Sequence, residues 1–170
     1  LRRFFLNEQL RNVLHSTGDT SAGRFMRYRL DLHSDTIEAN EYKEALGGEF
    51  PQWDHRYTTQ PTSVMYAACM MGDDSTFFDG VERIDLQTGK VKTHSLGEGR
   101  YTSEAMHVAP REEDDNQEGW LVSMVYDARD HSSEVVIFDA RTLDEVAVVP
   151  LKNHVPFGFH CGYSPRSFLR

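Results

Sequence analysis

The chain has 170 residues, of which 27 are acidic and 18 basic, so its formal net charge is -9. This length is enough for about one domain with its own core. The negative charge repels phosphate backbones, which argues against nucleic acid as a partner. The sequence contains no run of about 18 apolar residues and no charged-then-apolar leader, and it leaves membrane association open.

The cysteine content argues against a disulfide scaffold. Cys69 and Cys161 are the two cysteines, and the sequence has neither a C-x-x-C spacing nor an N-x-S/T glycosylation acceptor. We therefore expect a reducing, cytoplasmic environment. The first residue is Leu1 rather than a methionine, and we expect that sequence upstream of it is missing.

Short apolar and β-branched runs with near-alternation predict strands rather than helices. In chain order these runs cover residues 25–32, 64–71, 81–86, 120–126, 135–138 and 146–151. Turn-forming residues separate the runs, and an acidic stretch covers residues 112–119. Only residues 7–14 have a helical pattern. The sequence therefore predicts an all-β chain.

An apolar-Asp-apolar triplet recurs around Asp31, Asp85 and Asp139, and both intervals, 85 minus 31 and 139 minus 85, equal 54. In the last two copies a threonine follows three residues after the Asp, then a turn, then a second strand beginning near residue 91 or 146. A period of about 50 residues built from four short strands is typical of β-propeller blades. Coincidence between three short triplets is the alternative. Because a closed ring needs about 4–8 blades, about three blades predict part of a propeller.

The usual hydrolase, nucleotide-binding and zinc-protease motifs are absent from the sequence. The histidines therefore remain as the candidates for a catalytic or metal-binding role. There are eight of them. Five lie in polar or turn-like contexts and are expected to be exposed and structural: His15, His33, His55, His94 and His131. His107 and His154 lie beside apolar residues, and the sequence does not decide their role.

His160 differs from the other histidines because Phe157 and Phe159 precede it and glycines at 158 and 162 let the backbone approach another group closely. An imidazole in a dry aromatic pocket can be a neutral metal ligand. For this segment alone, a core histidine that the protein itself satisfies is the alternative.

Two glutamates are candidates to orient a metal-bound histidine, because such a ligand usually donates its second ring N–H to a carboxylate. Glu104 lies where an apolar strand begins, and Glu49 lies in the segment 48–53. A solvated position is the alternative for either glutamate.

Four motifs, taken in order, resemble those of the carotenoid cleavage oxygenases. The family's E-F-P motif followed by D-x-R-Y matches residues 49–51 and 54–57, and its S-E-P-x-F-V motif is similar to residues 103–108. The acidic loop, strand and hairpin resemble residues 112–149, and the terminal P-x-G-F-H-G motif matches residues 156–160. The resemblance covers roughly residues 23–165. Two departures are Ala105, where the family has proline, and Cys161, where it has glycine.

The resemblance implies that residues 1–170 form the C-terminal portion of a single seven-bladed β-propeller domain, with the upstream blades absent. It also implies a ferrous iron, Fe(II), held by four histidines, with His160 as the last ligand and the other three before Leu1. By the same resemblance Glu104 orients His160, and Glu49 orients a ligand upstream.

The implied activity is iron(II)-dependent cleavage by O2 of a conjugated carbon–carbon double bond. The apolar substrate would be a carotenoid, an apocarotenoid or a stilbene-type compound. By the same resemblance, Phe157 and Phe159 are candidates for the apolar wall of the substrate pocket, with core packing as the alternative. Neutral nitrogen ligands suit a divalent iron, and the protein's part is to place the alkene. The competing class is a non-catalytic propeller binding module or an inactive family member. The fragment alone is expected to be inactive, because one histidine cannot replace four.

Overall fold

The computed structural model describes residues 23–72, 75, 77–110, 118–156, 158 and 160–164. Within these residues the chain forms strands and one short 3-10 helix, η1 (His55–Tyr57), which confirms the all-β prediction. The predicted helical pattern at residues 7–14 lies outside the described residues, and so do His15, Phe157 and Phe159. The strands are β1 (Met26–Asp31), β2 (Thr36–Glu41), β3 (Gly48–Gln52), β4 (Val64–Cys69), β5 (Gly80–Asp85), β6 (Val91–Ser95), β7 (Arg100–Thr102), β8 (Met106–Val108), β9 (Trp120–Asp127), β10 (Ser132–Asp139) and β11 (Glu145–Pro150).

All six predicted apolar runs form strands, and β6 begins at the position that the repeat predicts. Strands β2, β3, β7 and β8 have no counterpart among the predicted runs. The sequence of β2, TIEANE, is mostly polar and almost fully exposed, and β3 contains a glycine and a proline. Strands β7 and β8 have three residues each, too few to show an alternation.

The middle sheet, β3 to β6, is a four-stranded antiparallel meander in which each strand pairs with the next along the chain. The last sheet has the order β11-β10-β9, and its fourth position is shared by β7 and β8. Strand β7 pairs with residues 125–127 of β9, and β8 pairs with residues 120–122. The first strand of the last sheet is therefore split in two. The middle sheet and the last sheet thus each have four antiparallel strand positions, as a propeller blade does.

The repeated aspartates close equivalent hairpins. Oδ1 of Asp85 accepts a hydrogen bond from the backbone N–H of Thr88 at 2.8 Å, and Oδ1 of Asp139 does the same with Thr142 at 2.8 Å. Oδ1 of Asp31 accepts the N–H of His33 at 2.8 Å in the turn between β1 and β2. Such side-chain acceptors favour tight turns. The 54-residue repeat is therefore structural, and β1–β2 is the outer hairpin of a further blade.

The core lies between the middle and last sheets. Burial alternates along β9, as expected for a strand with one face packed on a neighbour. Within the described residues no helix is long and apolar enough to cross a bilayer. The main cluster of buried apolar side chains contains Tyr66, Val81 and Leu96 from the middle sheet and its following loop, and Ala105, Leu121, Val125, Val136, Phe138, Ala140 and Leu143 from the last sheet and its turns.

Candidate metal centre

Both predicted glutamates lie at irregularities in the first strand of their sheet. The register of β3 on β4 shifts between Glu49 and Gln52, and Phe50 has a positive φ of 58° there. Glu104 lies in the interruption between β7 and β8. Irregularities of this kind turn a side chain away from the direction that a regular strand would give it.

Gly48 allows β3 to approach β4 closely at the start of this irregular segment. A Cβ atom at this position would lie 2.1 Å from the carbonyl oxygen of Ala68. Only glycine fits there. The glycine therefore fixes where the first strand of the middle sheet leaves its regular path, one residue before Glu49.

Glu104 is a buried carboxylate, only 5% exposed, and it is held by hydrogen bonds on both oxygens. Its Oε1 accepts a hydrogen bond from Nε2 of Gln52 at 2.5 Å. Its Oε2 accepts the backbone N–H of Cys161 at 2.7 Å. Burying a carboxylate is costly unless such donors replace water, so these bonds explain how Glu104 can lie inside.

The same Oε2 of Glu104 lies 3.4 Å from Nδ1 of His160. The structure thus brings together the two residues that the sequence pairs, at a separation slightly longer than the roughly 2.7–3.2 Å of an ordinary N–H···O bond. Phe50 contacts the imidazole edge-on, with ring centroids 5.4 Å apart and an interplanar angle of 86°. A neutral imidazole that donates Nδ1–H keeps its lone pair on Nε2, the nitrogen a metal would need.

The described residues do not enclose His160 in a dry pocket, and its side chain is 68% exposed among them. The described residues of its segment, 158 and 160–164, are exposed and have no regular secondary structure. Glu49 is also exposed. Together with His160 and Phe50, it lines an open cleft of about 1050 Å³ between the β1–β2 hairpin and the first strand of the middle sheet.

Gln52 is a site residue that sequence reasoning missed. Besides donating to Glu104, it accepts at Oε1 from Nε2 of His55 at 3.2 Å. The ring of His55 lies beside Trp53, with centroids 4.8 Å apart. Gln52 belongs to the same motif segment as Glu49. Its place in that segment is the only feature of the sequence that could have indicated Gln52.

The two departures from the family pattern leave this geometry intact. Ala105 is fully buried in the core between the sheets. Cys161 contributes its backbone N–H to Glu104, and its thiol is free and exposed. A glycine at 161 would offer the same N–H.

The two histidines that the sequence left undecided take part in hydrogen bonds within the protein. His107 is buried, its ring stacks on Tyr66 with centroids 5.3 Å apart, and its Nε2–H donates to the carbonyl of Glu118 at 2.6 Å. Burial lowers the pKa of His107, so the neutral form is favoured there. Nδ1 of His154 lies 3.3 Å from Oγ of Ser133.

Among the described residues, no group of three or more His, Cys, Asp or Glu side chains could hold a metal ion. This part of the chain provides one imidazole in contact with one buried carboxylate. That arrangement fits one ligand of a nitrogen-ligated metal site whose other ligands would lie outside the described residues.

Residues 2–165 match the family model described as retinal pigment epithelial membrane protein. The chain belongs to this family. The carotenoid 9,10(9',10')-cleavage dioxygenase of Crocus sativus is 36% identical over 152 residues, which cover 78% of this chain and 27% of that protein. The apocarotenoid-15,15'-oxygenase of Synechocystis is 28% identical over 145 residues, covering 81% of this chain and 29% of that protein. The chain thus spans less than a third of the length of these relatives.

Solved structures support the propeller. The crystal structure of the cobalt-substituted Synechocystis apocarotenoid oxygenase superposes with a TM-score of 0.75 and 24% identity, covering 85% of this chain and 31% of that one. A chimera of that oxygenase with the retinal pigment epithelial protein superposes with a TM-score of 0.73 and 22% identity. The prediction of about three blades of a seven-bladed β-propeller is confirmed.

Proposed function

We propose that this chain is the C-terminal portion, over residues 1–170, of a single-propeller iron(II)-dependent dioxygenase. The enzyme would cleave a conjugated carbon–carbon double bond of a carotenoid, an apocarotenoid or a stilbene-type substrate with O2. The observation that carries the proposal is the contact between buried Glu104 and His160. It occurs in a chain whose relatives include carotenoid cleavage dioxygenases.

In this proposal His160 binds iron through Nε2, and three further histidines from blades upstream of Leu1 complete the ligand set. The bound iron would supply the activation of O2. Glu104 holds the imidazole in the Nδ1–H form and fixes the direction of the ring. Glu49 would orient one of the upstream ligands, since it lines the same cleft as His160.

The exposure of His160 agrees with a metal site whose ligands come partly from this chain and partly from other blades. A ligand that completes its coordination with residues of other blades lies at the edge of its own fragment, where those blades would cover it. Phe157 and Phe159 stay predicted walls of the substrate pocket, because they lie outside the described residues. The substrate itself is apolar, so its binding depends on shape and on exclusion of water more than on charge.

The test is made on the complete protein that contains this chain. We expect about one iron per protein and, with added carotenoid or stilbene, two carbonyl products that depend on iron and O2. The isolated 170-residue chain should bind iron weakly and cleave neither substrate. A folded complete protein that binds the alkene without iron and leaves it intact would overturn the proposal in favour of a binding module.

A further inference from the structure

The two oxygens of Glu104 have different partners. Oε1 accepts from Gln52 at 2.5 Å, whereas Oε2 accepts from the backbone of Cys161 at 2.7 Å and faces Nδ1 of His160 at 3.4 Å. A carboxylate is planar, so a donor that fixes Oε1 also limits where Oε2 can point. The hydrogen bond from Gln52 therefore bears on the contact between Glu104 and His160.

The orientation of the Gln52 amide follows from its two neighbours. A carboxylate offers acceptor oxygens only, so the amide nitrogen must face Glu104. The amide oxygen then faces Nε2 of His55 at 3.2 Å, and this ring nitrogen must be the donor. Gln52 is thus fixed at both ends of its amide, between an exposed histidine and the buried carboxylate.

The bond between Gln52 and Glu104 also joins two blades. Gln52 ends the first strand of the middle sheet, and Glu104 lies within the split first strand of the last sheet. Removing the bond could therefore disturb the packing between blades as well as the orientation of His160. Any test has to separate these two effects.

We propose that Gln52 is a positioning residue for His160, acting through Glu104; this deepens the proposed function and rests on it. Without the Gln52 donor, the carboxylate of Glu104 can rotate and the Nδ1–H form of His160 is less strongly fixed. Loss of a direct partner of a metal ligand typically costs 10–100-fold in affinity. Gln52 acts one contact further away, so we expect a loss of about 3–10-fold.

The experiment compares variants of the complete protein. Gln52→Met keeps the length of the side chain and removes both the amide oxygen and the amide nitrogen, and Gln52→Glu places a second carboxylate against Glu104. The matched control is Tyr66→Phe, which removes another hydrogen bond between the two sheets, from the Tyr66 hydroxyl to Glu118 at 2.9 Å. All three variants remove one such bond, but only the Gln52 variants touch Glu104.

Two readouts are measured for each protein. In the metal-free, 15N-histidine-labelled protein, the shifts of the His160 ring nitrogens report which nitrogen carries the proton. Competition with a coloured chelator gives the affinity for Fe(II) and Co(II). We expect both Gln52 variants to shift the His160 nitrogens towards a mixture of tautomers and to weaken metal binding, with Gln52→Glu the stronger. Tyr66→Phe should lower the melting temperature but change neither readout.

Failure of the inference and failure of the proposed function are distinguishable. If the unmodified protein binds no Fe(II), the proposed function fails, and the ring-nitrogen shifts alone decide the role of Gln52. If it binds Fe(II), and Gln52→Met keeps both its metal affinity and its His160 shifts, the positioning role is overturned. Should Gln52→Met not fold, Gln52→Glu decides by the same two readouts. Equal losses in Tyr66→Phe would also overturn the inference, because they would reflect blade packing alone.

Discussion

Oε2 of Glu104 lies 3.4 Å from Nδ1 of His160 and also accepts the backbone N–H of Cys161. The carboxylate comes from the first strand of the last sheet, and the imidazole comes from the segment that follows β11, the last strand of that sheet. One buried carboxylate thus ties this segment to the blade and contacts its imidazole. In the proposed function His160 binds the metal and Glu104 orients His160, so replacing the one and replacing the other should have different effects.

If the proposed function is right, His160→Ala should abolish bound iron and alkene cleavage in the complete protein, because the proposal makes His160 a metal ligand. Glu104→Gln keeps the volume of the side chain but can place an amide N–H against His160 instead of an acceptor. We expect it to lower iron affinity or activity by about 10–100-fold. Iron content and cleavage rate are measured in parallel for the unmodified protein and the two variants.

Circular dichroism of each protein is the control, because Glu104 is buried and its replacement could unfold the blade. A folded His160→Ala protein with full iron and full activity would contradict the role of His160. A Glu104→Gln protein as inactive as His160→Ala, although folded, would show that Glu104 does more than orient the ring.

The sequence predicted the blades well because their signals are local. Each repeated aspartate binds backbone N–H groups two or three residues away, so its role is contained in a few neighbouring positions. The pairing of Glu104 with His160 is not local, and only the family motifs indicated it. Gln52 was missed because its contact with Glu104 depends on the β3 irregularity and on how two blades pack. The exposure of His160 was missed for a similar reason, since the flanking aromatic residues suggested burial.

Asp139 should stabilise the β10–β11 hairpin, because its Oδ1 accepts hydrogen bonds from the backbone N–H groups of Arg141 at 2.9 Å and Thr142 at 2.8 Å. Asp139→Ala removes the Oδ1 atom that accepts both bonds, and we expect the free energy of unfolding to fall by about 1–2 kcal/mol. Asp139→Asn keeps an acceptor oxygen and should retain most of the stability that Asp139→Ala loses. Chemical denaturation of the complete protein measures the effect. Asp144→Ala, in the same turn and exposed, is the matched control, and an equal loss in that variant would refute the assignment.

Glu82 lies fully buried in the middle of β5 and should make stability depend on pH. Its Oε2 accepts the backbone N–H of Leu46 at 3.0 Å, whereas Oε1 has no hydrogen-bond partner within the described part of the chain. Burial raises the pKa of Glu82 from the ordinary 4.5 to about 7. Between these two values the folded protein holds a proton that the unfolded chain has lost. Stability from this group is therefore complete below about pH 4.5 and lost as the pH rises through about 7.

Glu82→Gln mimics the neutral carboxyl and should remove this contribution. The variant should match the unmodified protein near pH 4.5 and be more stable above pH 7, by about 2–3 kcal/mol. The measurement is the midpoint of urea unfolding at several pH values between 4.5 and 8. Glu44→Gln, an exposed carboxylate before β3, controls for the change in net charge. A difference between the Glu82 variant and the unmodified protein that does not grow with pH would contradict the shifted titration.

Arg100 should be the ion-pairing residue whose loss most destabilises the last sheet. Its side chain is 15% exposed and contacts Glu134 at 2.5 Å and Glu145 at 3.0 Å, which joins β7 to β10 and β11. Arg100→Met keeps most of the apolar stem but removes the guanidinium from two half-buried carboxylates, of which Glu145 also lies 3.5 Å from Nε2 of His94. Breaking a fully buried pair costs about 3–5 kcal/mol, and the partial exposure here reduces our expectation to about 2 kcal/mol.

The matched control for Arg100 is Arg129→Met, because Arg129 also forms a two-pronged pair, with Asp127, but its own side chain is 65% exposed. Water solvates that guanidinium and salt screens it, so this replacement should have a much smaller effect, and one that shrinks further in high salt. Denaturant unfolding of the complete protein at low and at 1 M salt measures both variants. The loss in Arg100→Met should persist at high salt, because solvent ions reach a half-buried pair poorly. Equal losses for the two variants, or a loss in Arg100→Met that disappears in salt, would show that the Arg100 cluster behaves as an ordinary surface pair.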